Sequence, residues 1–255
     1  IKKAMQLQEN SLEPLAKILG VHLEACFLNP VKKGIHDENL LLKPTIENFK
    51  LLEDDIIKIV TLAPELDEGN LLCAYLKEKG IRVSAGHCMG ADLSHVDQVT
   101  HLYNAMGAFS HRTQSTVVSA LCNDNIYTEI IADGIHVQKD VLNITFRTKP
   151  LNKIILISDA LPITHSDKDS MDFCSKKVFL QNGKAVDRNG TIAGSTAFVY
   201  DIIKMLVNQG MLDLRTACAM ASKNLTYIQD LNSQLYWDSS CNIQAMNING
   251  SLVTF

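Results

Sequence analysis

The chain has 255 residues, 46% of them hydrophobic and 20% charged, enough to bury a sizeable core in one α/β barrel or in two modest domains. Its 24 Lys and Arg stand against 28 Asp and Glu, a formal charge of -4 spread without long runs, which excludes a basic nucleic-acid footprint and a polybasic membrane surface. No apolar run approaches the roughly 20 residues that cross a bilayer, and the opening IKKAMQLQENSLEPLAKILG reads as a helix rather than a signal peptide, so a cytoplasmic protein is expected.

Six short apolar runs read as strands, at residues 21–27, 56–62, 81–85, 99–103, 127–132 and 153–158. Helix-period segments lie among them at 44–53, 70–79, 116–122 and 138–148, and this alternation implies a mainly parallel sheet. Past Asp159 the pattern changes. VFLQNGKAV carries an Asn-Gly between apolar residues, a hairpin signal that marks residues 176–190 as an excursion from the sheet. A weak strand at 191–194, helices at 198–208 and 214–222, and the tail NIQAMNINGSLVTF, two short strands about another Asn-Gly, complete the reading. The cysteines Cys26, Cys73, Cys88, Cys122, Cys174, Cys218 and Cys241 form no CxxC pair and read as reduced thiols, not as a disulfide framework or a thiolate zinc site.

The first strand poses the functional question. Period-2 alternation points His22 and Glu24 to one face, and a carboxylate at the end of a buried strand is costly unless it is paired, protonated or bound to a cation. Almost every other candidate strand also runs into polar groups at its C-terminal end: TLAPE, SAGH, THLYN, IADGIH and ISDA. A lone His there is more often simply hydrogen-bonded, and an Asp before a helix is more often an N-cap. In an α/β barrel, however, all strand C-termini converge on one face, so Glu24, Glu65, His87, His101, His136 and Asp159 are expected to share one pocket. A Glu and two His suit a divalent ion such as zinc with one open position for water. Asp159, after the very apolar KIILIS, is the candidate acid/base.

In their order, HLEACFLNPVKKGIH, TLAPE, SAGH, THLYNAM, HR, IADGIHV, ISDA and GTIAGS resemble the N-acetylglucosamine-6-phosphate deacetylase family of the amidohydrolase superfamily, over residues 20–225. The resemblance implies a (β/α)8 TIM-type barrel, here without its first strands and with remnants of a small β-sandwich. It divides the chain into a hydrolase barrel at residues 1–235 and C-terminal sandwich strands at 236–255. It implies hydrolysis of the acetamido group of an amino-sugar phosphate, with a divalent metal, zinc above all, held by Glu24, His87 and His101, and with Asp159 as acid/base. Ile35 and His36 would contact substrate; Asn104, Ala105 and Arg112 would hold its phosphate; Asp133, His136, Ile192, Ala193 and Gly194 would complete the sugar pocket. The family commonly forms homodimers in which Arg112 or its loop would reach a neighbour's site.

The chain departs from the family pattern at several points. Ala25 and Cys26 stand where Gly-Pro follows HLE, Cys88 and Met89 follow the SAGH histidine, and Thr113, Gln114, Ser115 and Thr116 replace a Pro-Gly after HR. Residues 87 and 101 are close in sequence for a βαβ crossover. A relative that binds sugar phosphate or metal without turnover is the alternative that these changes leave open, and a related amide or cyclic-amide hydrolase is a further one.

Overall fold

The computed structural model describes residues 1–11, 17–225, 233–248 and 250–254. Its main sheet has six parallel strands in chain order: β1 (Val21–Leu23), β2 (Ile57–Leu62), β3 (Arg82–Ala85), β4 (Gln98–Val99), β5 (Tyr127–Ile130) and β6 (Ile154–Leu156). β2, IKIVTL, is buried at every position except Lys58, as expected of a strand covered on both faces. Although β1 is the outermost strand, His22 Nδ1 lies 3.9 Å from Glu129 Oε1 on β5. The sheet therefore curls, bringing strands that are not neighbours around a shared interior. A parallel bridge between Ala160 and Ser195 extends the order one place beyond β6.

Of the expected N-terminal helix, α1 (Lys2–Glu9) is present, residues 17–20 are not helical, and residues 12–16 lie outside the described residues. The helices α2 (Ile46–Lys50), α3 (Leu71–Glu78), α4 (Thr116–Cys122) and α5 (Lys139–Thr148) follow the expected segments, with Thr45 and Ser115 capping α2 and α4 through their hydroxyls. Residues 86–97 join β3 to β4 without a helix, and buried Ala91, Leu93 and Val96 fill the layer a helix would occupy. The strand expected at 99–103 is correspondingly short, because the backbone turns to positive φ at His101 and again at Tyr103.

The excursion is a four-stranded antiparallel sheet of β7 (Ser170–Phe173), β8 (Lys176–Gln181), β9 (Lys184–Asp187) and β10 (Ile192–Gly194), in the order β10-β9-β8-β7. Asn182 and Gly183, both at positive φ, make the tight turn that their sequence calls for. Val178 and Ala185 of this sheet pack on Ile35, Leu161 and Ile163, so the excursion supports the loop that carries His36. α6 (Val199–Asn208) and α7 (Leu214–Ala221) bury Ile202, Ile203, Leu206, Ala217 and Met220 in the same cluster as Ile154 and Leu156 of β6. β11 (Ser233–Trp237), β12 (Ile243–Ile248) and β13 (Ser251–Thr254) form a third sheet, and β11 straddles the boundary expected between residues 235 and 236. No helix among the described residues is long and apolar enough to cross a membrane.

Gly86, between β3 and His87, is the tightest point of the wall beneath the site. A Cβ there would lie 2.7 Å from Thr61 Cγ2 and 2.9 Å from Thr100 Cβ. Gly86→Ala should therefore destabilise the protein by about 1–3 kcal/mol, the usual range for overpacking, as measured by denaturant unfolding. An unchanged midpoint would show that β2 and β4 move apart freely.

Candidate metal and catalytic centre

Glu24 follows β1 directly, His87 lies two residues beyond β3, His101 two beyond β4, and Asp159 three beyond β6. Curling of the sheet brings these strand ends together. Glu24 Oε1 lies 2.8 Å from His87 Nε2 and 2.7 Å from His101 Nε2, and the two nitrogens are 3.2 Å apart. Donor atoms on one tetrahedral ion, each about 2.0–2.1 Å from it, stand about 3.3 Å from one another. The observed triangle is only slightly tighter, so the three side chains fit a divalent cation with little movement. The ring of His87 is already oriented for this: its Nδ1 donates to the Lys32 carbonyl at 2.6 Å, which turns Nε2 toward Glu24. His101 Nδ1 has no hydrogen-bond partner among the described residues, so that ring is held by packing and by its Nε2 side.

His36 supplies a competing donor, since its ring nitrogen, Glu24 and His87 lie within 4.8 Å of one another. The set with His101 is the more compact. His101 is also fully enclosed, whereas His36 is half-buried and meets His87 edge-on at 5.2 Å between ring centroids. We take Glu24, His87 and His101 as the candidate ligands and His36 as a cavity wall.

Burial works to raise the Glu24 carboxyl, but its pairing with His101 and His87 prevails and holds it well below the usual carboxylate range. Burial likewise opposes charge on His101, yet the Glu24 carboxylate pushes it up to about 9. A proton on His101 and a metal ion therefore compete for the same nitrogen. Asp159 is pushed up to about 6, first by burial and then by the Glu24 charge. Burial and then the neighbouring His87 lower His36.

A cavity of about 640 Å³ opens over this cluster. Its lining includes Ile35, His36, Asn104, Ala105, His136, Asp159, Ile192, Ala193 and Gly194 together with the three candidate ligands. Three expected lining residues stand elsewhere. Arg112 lies on an exposed loop with its Nε on His111 Nε2 at 3.1 Å, away from this chain's own cavity. Asp133 sits behind the lining: it accepts from the backbone of Ile135 and His136 and from His136 Nδ1 at 2.8 Å, so it acts on the cavity through that ring. Glu65 is outside the cavity as well, and holds Asn29 and Met89.

Sequence reasoning passed over a polar layer beneath the cluster. His22 Nε2 meets Thr61 Oγ1 at 2.6 Å, Thr61 meets Thr100 at 2.7 Å, and Ser84 bonds Thr100 in turn. The alternation of His22 with Glu24, and the hydroxyls at the ends of β2, β3 and β4, were the available signals. The departures near the ligands are accommodated: Ala25 is not among the residues at positive φ. Cys26 and Cys88 turn into the apolar core, where burial pushes their thiols up to about 11 and about 12.

If His101 completes the ligand set, His101→Ala should weaken zinc affinity by more than about 100-fold, beyond what loss of an outer partner costs. His36→Ala should change it less than about threefold. Titration of the metal-free protein with zinc against a competing chelator reads both values, and the reverse ranking would assign the third position to His36.

No protein-family model matches the chain. It is 34% identical over 210 residues to an N-acetylglucosamine-6-phosphate deacetylase of Bacillus subtilis, covering 78% of this chain and 51% of that protein. It is 28% identical to the Haemophilus influenzae enzyme of that name, covering 87% of this chain and 61% of that one. It is 26% identical to an N-acetylgalactosamine-6-phosphate deacetylase of Escherichia coli O157:H7, covering 95% of this chain and 70% of that protein. The crystal structure of N-acetylglucosamine-6-phosphate deacetylase from Pasteurella multocida superimposes with a TM-score of 0.85 at 27% identity, over 99% of this chain and 71% of that one. The chain spans about half to three-fifths of the length of the first two relatives. In sequence and in fold, the chain is similar to N-acetylglucosamine-6-phosphate deacetylases over part of their length.

Proposed function

We propose that this site hydrolyses the acetamido group of N-acetylglucosamine 6-phosphate, giving glucosamine 6-phosphate and acetate. The observation that carries the reading is the triangle of Glu24, His87 and His101 with Asp159, its carboxyl raised, in the same cavity. The names of the relatives supply the substrate class, and the E. coli O157:H7 relative keeps the galactosamine epimer in view. Zinc suits the one-oxygen, two-imidazole donor set. When bound, such an ion polarises the amide carbonyl and lowers the pKa of a coordinated water.

The side chains divide the remaining work. Asp159, as carboxylate, accepts the proton of the attacking water at the carbonyl carbon and returns it to the amine nitrogen as the C–N bond breaks. Asp133 accepts the His136 Nδ1 proton and fixes that ring, leaving Nε2 as the nitrogen available to substrate. Asn104 and Ala105 face the sugar's phosphate end, and Ile35, His36, Ile192, Ala193 and Gly194 enclose the ring. Arg112, exposed in its own chain, serves the cavity of a second copy in a homodimer, where its planar fork suits phosphate. The sequential parallel strands and the Ala160–Ser195 bridge support a (β/α)8 barrel completed by strands beyond those seen here, with β11–β13 belonging to a small β-sandwich. Free cysteines accord with a cytoplasmic setting.

Zinc-loaded protein should release acetate from N-acetylglucosamine 6-phosphate; a loaded protein that releases none overturns the proposal. Asp159→Asn should lower kcat by at least about 100-fold with metal content retained. As a base Asp159 must be ionised, so activity is lost as pH falls through its pKa. That value is about 6 in the metal-free site, and a cation alongside draws it lower, which places the acidic limb of kcat at or below that pH. A variant without the Asp159 carboxyl should lack this limb.

Arg112→Ala should raise KM for the 6-phosphate sugar about tenfold or more, the scale of one charge-assisted bond lost, and leave the unphosphorylated sugar unaffected. Equal effects on both substrates would remove Arg112 from phosphate binding.

A further inference from the structure

We propose that Glu65 is a positioning residue that sets His87 in place for the metal ion. The inference rests on His87 being a ligand, as argued above. One oxygen of Glu65, Oε1, accepts from Asn29 Nδ2 at 2.9 Å and from the Met89 backbone N–H at 2.7 Å. These two contacts grip the segments on either side of His87.

On one side Asn29 fastens the histidine twice. Its backbone N–H donates to the His87 carbonyl at 3.0 Å. Its side-chain oxygen accepts from Val31 N–H at 3.0 Å and starts the single turn Pro30–Lys32. That turn presents the Lys32 carbonyl, which accepts the His87 Nδ1 proton at 2.6 Å and decides which ring nitrogen faces Glu24. On the other side, the Met89 amide ties the chain just beyond His87 to the same carboxylate. His87 needs such fastening from both directions because its backbone sits at φ 49, a left-handed conformation unfavourable for a histidine and kept only when the surroundings over-determine it. Glu65 itself stays outside the cavity and touches neither substrate space nor the ligand atoms. It acts through Asn29 and the backbone, at the turn Pro64–Leu66 that follows β2.

The test is titration of the metal-free protein with Co²⁺, read by its visible absorption, together with the thermal midpoint of the metal-free form. Glu65→Ala should weaken Co²⁺ affinity about 10–100-fold, the range for outer partners of metal ligands, while the metal-free midpoint stays close to wild type. Glu65→Gln keeps an oxygen for both donors and should restore affinity to within about threefold of wild type. Asn29→Asp keeps the oxygen that starts the Pro30–Lys32 turn but sets two carboxylates against each other, and should weaken affinity as Glu65→Ala does. His87→Ala is the control for the underlying reading, and must lose affinity and change the Co²⁺ spectrum. If His87→Ala behaves so and Glu65→Ala binds like wild type, positioning by Glu65 is overturned and the ligand assignment stands. A midpoint that falls in step with affinity in Glu65→Ala overturns it equally, because the role is then one of general stability. Unchanged affinity in His87→Ala overturns the ligand assignment and this proposal together.

Discussion

One carboxylate oxygen holds the site together. Glu24 Oε1 receives two imidazole nitrogens within 2.8 Å, in a place where burial alone would drive the carboxyl to its neutral form. A charge in such surroundings persists only with close partners, and the partners come from strands that are not neighbours of β1. The curl of the sheet, the loops that end at His87 and His101, and the absence of a helix between β3 and β4 all serve that convergence. The hydroxyl chain from His22 through Thr61 to Thr100 and Ser84 continues the polar character one layer down, so the wall beneath the ligands is hydrogen-bonded rather than oily.

The arrangement is strained at the candidate centre. His87, His101 and Asp159 all take positive φ, as do Ala105 in the cavity wall and Tyr103 nearby in the chain. Such conformations cost about 1–3 kcal/mol each where the residue is not glycine, and they persist because flanking hydrogen bonds and packing leave no alternative. The strand that would have run on past Val99 is cut short for this reason. Extended backbone there would point His101 along the wall instead of into the space shared with Glu24.

Much of this was legible in the sequence because strand C-termini are marked by abrupt changes from apolar to ionisable residues. KIILIS followed by Asp159, and IRVSA followed by Gly86 and His87, show the change most clearly. Asn182-Gly183 announced its hairpin because few dipeptides accept two positive φ values in succession. Hidden from the sequence were features made by contacts between distant segments. The Lys32 carbonyl under His87 uses a backbone atom that any residue supplies, and β7 is a half-buried SMDF with no periodic signature. Arg112 was placed by its neighbours in the motif, but the loop that bears it is exposed and Arg112 does not line this chain's cavity. Asp133 was expected at the cavity through the resemblance of IADGIHV, whereas a tight turn folds its carboxylate back onto the His136 amide and ring.

The antiparallel excursion of β7–β10 meets the loop behind His36 through a small apolar cluster: Ile35, Leu161 and Ile163 against Val178 and Ala185. None of the three candidate metal ligands lies in that sheet, while Ile192, Ala193 and Gly194 at its edge border the cavity. Part of the cavity border is therefore carried by a module with its own turn and its own packing seam. Exchange of side chains on the β8 and β9 side of that seam alters what borders the cavity, while the donor triangle is carried by other strands. Among descendants of this fold, divergence in what the cavity mouth admits has a place to accumulate apart from divergence in the donor triangle, and the two can drift at different rates.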